Sequence, residues 1–507
     1  MNRLISRRSM LVALAVAGAS TLSVACGGTT ATPQPTTGGG AAAKPTTPAG
    51  SGTTAQATTG SGVAVAPTAA ATTEAVAKPT TGAAAAPTTQ AAAGGKKTTI
   101  TVINHIAYGP ENDKQVFPPA YQMFGDKYGV AVEETILPED QQMPVKILTM
   151  VAGGTPPDAS FIHPQWLASM AAKAAVLPLD SYMKSDPKSA DLSPSALMYY
   201  QFPHGAKTFG IPHYSGPCIT IFNRSLFKEA GLPAPDEMEK SGNWTWEAAR
   251  DTAIKLTKGS GANKQFGWDG LTSGLHWLNI LIWGWGGNLW TEDMTKCLLD
   301  EAPALDALQF YADFEAKHHI VPSAAESAGV TGGKSGRIIS GRVAMQYGIK
   351  GNIPEIADFA AQKNVEVGMA PIPAGPKGRF VRNGPNSFCV MKGTKHPEEA
   401  YNLINWMSQD DFQALQYKVG ASIPPRQSQL ESDAFKKSLR PWESIDVWKK
   451  AAEQDRALDM AATHLDIQNM FSPAWDLIHL GQKPAKDAIA PIIPKINDLL
   501  AKARAQS

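Results

Sequence analysis

Five tryptophans fall within 23 positions: Trp268, Trp277, Trp283, Trp285 and Trp290, with Gly284, Gly286 and Gly287 between them. An indole face stacks on the C–H face of a sugar ring, and glycines let a ligand approach the backbone closely. A tryptophan run broken by glycines packs poorly as a helix. Trp283 and Trp285 are therefore placed in a loop and taken as an aromatic platform, against burial in a core as the competing fate of any single tryptophan. Four histidines, His105, His163, His204 and His213, would make a zinc-like set if three converged. Their spacing carries no metal signature, so neither metal nor cofactor is expected, and His163 and His213 are read as polar ligand contacts or loop residues. Catalysis has less support. A glycosidase needs two carboxylates facing one bond, and nothing pairs Asp269 with Glu355. HExxH and nucleophile-elbow motifs are absent from the sequence. Residues 328–335, AGVTGGKS, loosely match a phosphate-cradling loop, but no hydrophobic strand precedes them. They are read as a flexible surface loop.

The elements that would position such residues alternate in type. Thr98–Asn104 reads as a strand, 116–128 as a helix, Val130–Ile136 as a strand and 143–152 as a helix. A strand over 158–162 and a helix over 166–175 follow. This rhythm predicts a parallel sheet covered by helices on both faces. Ligands of such sheets gather beyond the carboxyl ends of the strands, which points to 104–108, 137–142 and 163–166. A helix over 244–256 carries Trp246, Ala249, Ala253 and Leu256 on one stripe. Another follows Pro397 with Ala400, Leu403, Ile404 and Met407 inward, while Pro491 and Pro494 should kink the last helix.

Longer motifs carry a resemblance. They are Gly210-Ile211-Pro212, then FNRSLFKEAGL over 222–232 and Trp244-Thr245-Trp246-Glu247. VAGGTPPD over 151–158, Leu177-Pro178-Leu179-Asp180, SGRVAMQYG over 340–348 and VGMAPIPAG over 367–375 add to them. Together these resemble the extracellular solute-binding proteins of ABC importers, in the maltose-binding-like sugar group, and the likeness covers nearly everything after residue 98. It implies an α/β fold of the periplasmic-binding-protein type: two lobes, each a mostly parallel sheet flanked by helices, with a central cleft and a hinge. By resemblance, lobe one holds 98–212 and 369–430, and lobe two holds 213–368 and 431–507. The chain crosses near 211–216, returns near 367–372 and crosses again near 425–440. The family often has a Trp shortly after the glycine corresponding to Gly348, whereas Ile349 and Lys350 follow here. Tyr347 could supply that aromatic face. Lys350 either reads an anionic or strongly polar substituent or, the plainer reading, is a solvated surface lysine.

Composition bounds the rest. Net charge is +1 with acids and bases interspersed, so nucleic acid is not an expected partner. The N-terminus reads as processing signal: Ser6-Arg7-Arg8-Ser9-Met10-Leu11 resembles a twin-arginine export signal, and Leu22-Ser23-Val24-Ala25-Cys26 a lipobox whose Cys26 is lipidated. Residues 27–97 are almost all Ala, Thr, Pro, Gly, Ser and Gln, a composition that cannot offset its ordering entropy. Such a linker reaches roughly 45 Å as a flexible coil. About 410 residues remain, enough for two domains. Cys218, Cys297 and Cys389 are too scattered for a disulfide framework.

The resulting expectation is a lipid-anchored, non-enzymatic, monomeric protein on the outer face of the membrane or in the periplasm. It captures a mono- or oligosaccharide and delivers it to the transmembrane subunits of an ABC permease. A non-sugar solute such as a polyol phosphate or peptide, or a surface glycoside hydrolase, are the alternatives. The expected ligand contacts are His105, Tyr108, Gln142, His163, Gln165, Trp166, Tyr214, Trp283, Trp285, Tyr347 and Asn383.

Overall fold

A computed structural model of the chain describes residues 98–506 apart from 139–141, 204, 271–273, 329, 332 and 458–459. The export segment, Cys26, the linker and His204 lie outside the described residues. The strands are β1 (Thr98–Asn104), β2 (Val130–Ile136), β3 (Ala159–Phe161), β4 (Gly210–Tyr214), β5 (Ile219–Asn223), β6 (Phe266–Asp269), β7 (Val343–Gly348), β8 (Val367–Pro371) and β9 (Asn386–Val390). They make two sheets, ordered β2-β1-β3-β9-β4 and β6-β7-β5-β8.

In the first sheet β2, β1 and β3 run parallel, as the alternating helices and strands require, and β9 lies antiparallel to both β3 and β4. In the second, only β6 and β7 are parallel. Both sheets are therefore mixed, because strands that enter from the other half join the parallel ones in the opposite sense.

Local sequence explains the elements. β1 reads TTITVIN, a β-branched run with Ile100, Val102 and Ile103 turned inward. The first helix spans Pro110–Tyr128, starting earlier than its apolar stripe suggests. Pro110 suits the first turn, Glu111 and Asp113 complement the amino-terminal dipole, and Gly129 closes the helix in the left-handed conformation. The helix Trp246–Leu256 starts at Thr245, whose hydroxyl accepts from the Ala248 N–H at 3.2 Å. It lies so close to β6 that a Cβ on Gly267 would collide with the Ala253 carbonyl. The last helical region breaks at its prolines into Ala485–Ile489, a 3-10 turn and Ile493–Gln506.

The chain passes between the sheets at β4 to β5 and again at β8 to β9. β8 pairs with β5 through Pro371, so the return expected near 367–372 reaches the first sheet only at Asn386. Near residue 420 a further segment runs alongside: Val419 and Ala421 pack in the first core, whereas Ile423, Phe435 and Trp448 pack against the second sheet.

Two readings are corrected. Residues 328–335 are not simply an exposed loop. Gly333–Ile339 is a helix with Ser335, Ile338 and Ile339 buried, and Lys334 Nζ donates to the Gly270 carbonyl at 2.9 Å. Lys350 is not solvated either. Its side chain is fully buried and bonds both Glu443 carboxylate oxygens, at 2.8 and 2.5 Å. Glu443 also accepts from the Arg440 N–H and from Trp448 Nε1. The pair ties the turn after β7 to the last crossing segment. Removing one partner strands a buried charge, which costs about 3–5 kcal/mol, whereas replacing both with apolar residues is often neutral. Lys350→Met is therefore expected to lower stability by about that amount in urea unfolding. The double variant Lys350→Met/Glu443→Leu should recover most of it, and a single variant as stable as the parent would contradict the assignment.

Candidate functional site

The first wall of the site is the carboxyl end of β1 and β3. Asn104 Nδ2 donates to Glu134 at 2.7 Å, and its Oδ1 accepts from the His105 N–H at 2.9 Å. Asp113, in the first turn of its helix, accepts from the Ala107 and Tyr108 N–H groups, each at 2.8 Å. These bonds fix the 105–108 loop. Burial nevertheless pushes the Asp113 carboxyl up, against those two N–H bonds. The His105 ring lies 3.9 Å from Phe161 and 6.0 Å from His163, and His163 meets the edge of Trp166 at 5.1 Å. Tyr108 stacks parallel to Phe117 and lies 6.1 Å from Tyr214. Its hydroxyl is enclosed without a hydrogen-bond partner among the described residues. The Tyr214 hydroxyl accepts from the Gly351 N–H at 3.0 Å, joining this wall to the second sheet.

The second wall is the carboxyl end of β6 and β7 with the start of the helix Leu275–Gly284. Trp277, half-buried, meets Tyr347 at 5.1 Å and carries the Arg382 guanidinium on its face at 4.0 Å. The Tyr347 hydroxyl is 2.9 Å from Cys218 Sγ, which donates to the Arg382 carbonyl at 2.7 Å. His276 follows at the helix start and lies 6.2 Å from His464. Burial, then the Arg382 charge, holds the His276 pKa well below the ordinary imidazole value, and the same two causes bring His464 down to about 4. Both rings are neutral at pH 7.

Between the walls, the Asn383 side chain is consumed by the crossing chains: Oδ1 accepts from the Gly216 N–H and Nδ2 donates to Ser215 Oγ, both at 2.7 Å. A cavity of about 650 Å³ opens between the helices Pro164–Ala172 and His464–His479, with Gln165, Trp166, His276, His464 and Gln468 among its lining.

Of the expected contacts, the structure gathers His105, His163, Gln165 and Trp166 on one wall, Tyr108 and Tyr214 at the junction, and Tyr347 on the other. Asn383 is a structural clamp. Gln142 starts its helix and is exposed. Trp283 and Trp285 lie elsewhere. Trp283 is inside the helix and packs on Arg456 and Phe380, and Trp285 is at the helix end against Phe310. The neighbouring glycines serve chain packing instead: a Cβ on Gly375 would stand 2.5 Å from the Gly284 carbonyl oxygen. Trp277, His276, Arg382 and His464, which the structure also places here, are not among the expected contacts. The strand-end rule that located the first wall, applied to β6, would have pointed to 270–277. Of the carboxylates weighed for catalysis, Asp269 pairs with Arg337 at 2.8 Å and Glu355 is exposed. Among the described residues no group of three or more His, Cys, Asp or Glu is placed to hold a metal.

A family model described as bacterial extracellular solute-binding protein matches residues 107–414. The chain belongs to this family. A solute-binding protein of this family acts outside the cytoplasm, and no helix among the described residues is long and apolar enough to cross a membrane. A Brucella abortus protein described as a binding protein is 24% identical over 318 residues, 61% of this chain and 71% of the relative. Two solved structures share the fold. A Listeria monocytogenes ABC substrate-binding protein in complex with cycloalternan has TM-score 0.69 and 18% identity, covering 81% of this chain and all of its own. A Thermotoga lettingae solute-binding protein bound with α-D-tagatose has TM-score 0.68 and 21% identity, covering 80% and all of its own.

Burial pushes the Cys297 thiol up to about 11 and Cys218 up to about 12. Cys389 is shifted in the same direction. All three are free and buried. Because thiolate is the reactive form, iodoacetamide at pH 8 should modify them at least ~100-fold more slowly in the folded solute-binding protein than in denaturant. A folded pKa above the unfolded one stabilises below about pH 8.5, and that contribution is lost as pH climbs through the folded values. Rapid labelling of the native protein would contradict this placement.

Proposed function

We propose that this protein is the substrate-binding component of an ABC importer that captures a carbohydrate and passes it to the permease. The observation that carries the reading is the half-buried Trp277, set beside Tyr347 at the strand ends of one sheet and opposite the His163 and Trp166 wall of the other. Aromatic faces with a few fixed polar groups suit a ring that is apolar on its faces and hydroxylated at its rim. Cycloalternan and tagatose in the similar structures support the same class of ligand.

The two sheets act as the cores of two lobes, one built on 98–214 with the segment from 386 to about 420, the other on 219–371 with the remainder of the chain. Solute enters the open form. Contacts made only when both walls are present favour closure, and the closed form docks on the permease. His105, Tyr108, His163, Gln165, Trp166 and Tyr347 serve with Trp277 as ligand contacts, and Gln142 sits at the rim. Cys26 carries the lipid after twin-arginine export, the linker over 27–97 holds a monomeric body off the membrane, and no bond in the solute is changed.

A thermal-shift screen over mono- and oligosaccharides, polyols and short peptides identifies the ligand, and calorimetry gives its affinity. Trp277→Ala should weaken sugar binding about 10- to 100-fold while Trp283→Phe leaves it unchanged. Unaltered affinity in the Trp277 variant, or steady release of reducing sugar from a bound glycan, would overturn the reading.

A further inference from the structure

Arg382 lies where the chain returns toward the first sheet, between β8 and β9, and is 2% exposed. Its guanidinium sits 4.0 Å from the Trp277 ring. Among the described residues it makes no ion pair, and its enclosed Nε has no hydrogen-bond partner. That is unusual for the most strongly ionised side chain a protein has. Buried charges are normally paired, because desolvation without compensation costs several kcal/mol.

The surroundings do not supply the missing anion. His276 and His464, both within reach of its charge, are neutral. Asp455, a carboxylate of the crossing region, acts on the same Tyr199 and Cys218 groups as Arg382. Its Oδ1 accepts from the Tyr199 hydroxyl at 2.9 Å and from the Asn383 N–H at 2.9 Å, whereas its enclosed Oδ2 has no hydrogen-bond partner among the described residues. Its pKa is pushed up to about 6 by burial, and the groups that oppose the rise are Tyr199, Asn383 and Ser195. His276 and His464 also line the 650 Å³ cavity, whose lining includes Lys173 and Lys502 against the single carboxylate of Asp466. Elsewhere buried cations have bonding partners: Lys350 has Glu443, Arg379 has Glu239, and Arg426, without a carboxylate, donates to Ser408 and Asn405.

We propose that Arg382 is an oxyanion-recognition residue, and that the captured carbohydrate carries an anionic substituent, a carboxylate or a phosphate, which the guanidinium grips while the ring lies against the Trp277 and Tyr347 aromatics. This rests on the carbohydrate reading above and narrows it. Arginine presents a planar fork of donors that matches both oxyanions. The buried unpaired charge is then a cost borne by the empty protein and relieved when the ligand arrives.

The test uses the whole folded protein and five probes: digalacturonate, its neutral analogue galactobiose, glucose 6-phosphate, glucose and inorganic sulfate. Binding is followed by calorimetry and melting temperature at low and raised salt. The charged sugar should bind at least about 10-fold more tightly than its neutral counterpart, with an advantage that shrinks as salt rises. Which charged sugar wins tells carboxylate from phosphate. Arg382→Gln should remove that advantage, about 10- to 100-fold, and leave the ligand-free melting temperature unchanged or higher. Arg382→Lys should retain part of it. Equal affinity for charged and neutral sugars overturns the anionic assignment and leaves the carbohydrate reading standing. Sulfate stabilisation that needs Arg382, with no added effect of any sugar, keeps the anion site and overturns the carbohydrate reading. No response to any oxyanion, or a lower ligand-free melting temperature in Arg382→Gln with no loss of charge preference, overturns the proposal. Should Arg382→Gln fail to fold, the comparison of charged with neutral sugar on the parent protein still decides.

Discussion

Gly216 is held from both sides. Its N–H donates to the Asn383 side chain, its carbonyl accepts from the Gly384 N–H at 3.1 Å, and the adjoining Ser215 N–H donates to the Ile423 carbonyl at 2.9 Å. Three passes of one chain are thereby laced at a single line between two sheets. The site depends on that lacing. It sets the carboxyl ends of β1 and β3 opposite those of β6 and β7, so residues more than 200 positions apart in sequence, such as His105 and Tyr347, can face one solute. A Cβ on Gly216 would run into the Tyr214 ring, so the close weave itself selects glycine. The side chains at the line belong to the frame on one side, where Tyr199 and Asp455 brace Asn383, and to the cleft on the other, where Cys218 meets Tyr347.

Much of the frame's buried polarity is paired within the protein, although both ends of the Asn279 and Gln416 side chains are not. Away from the cleft, Arg426 bonds the Ser408 carbonyl and hydroxyl and the Asn405 side chain, and Gln413 donates to the carbonyls of His213 and Met407. Buried polar groups handled this way stabilise a unique packing because each has its partner. In the cleft, Tyr108 Oη, His276 Nδ1, both His464 nitrogens and Arg382 Nε have none among the described residues. Leaving a buried donor or acceptor unsatisfied costs about 1–3 kcal/mol. At the meeting of two walls such groups are available to a polar guest.

Much of the frame was legible in the sequence because it repeats. β1 and β2 match their alternating runs residue for residue, and the stripe of the Trp246–Leu256 helix is buried as its spacing requires. What escaped was set by partners far along the chain. Lys350 looks like any surface lysine until Glu443, 93 residues later, folds over it. The Trp283 and Trp285 pair drew attention through local composition, yet glycine next to tryptophan served a close approach to the Gly375 turn. Trp277 had no distinguishing local signal. It is set apart only by standing just past a strand end, a property of topology that a residue count cannot carry. Tyr347, by its motif position, and His163 and Trp166, by the strand-end rule, were expected at the strand ends where the structure has them.

The likeness to solved relatives at 18–21% identity with TM-scores near 0.7 fits this division of labour. A frame built from periodic apolar patterns tolerates wide substitution so long as volume and period persist. Residues at strand ends are free to change with the guest. Trp277 couples two such positions. One indole face already carries the Arg382 guanidinium, which leaves the other face and the edge toward Tyr347 for a solute. On the proposed reading, stacking and charge recognition share one side chain. Altering the anchor for the ring would also move the cation seated on it, whereas replacing the cation alone would leave the stacking face in place.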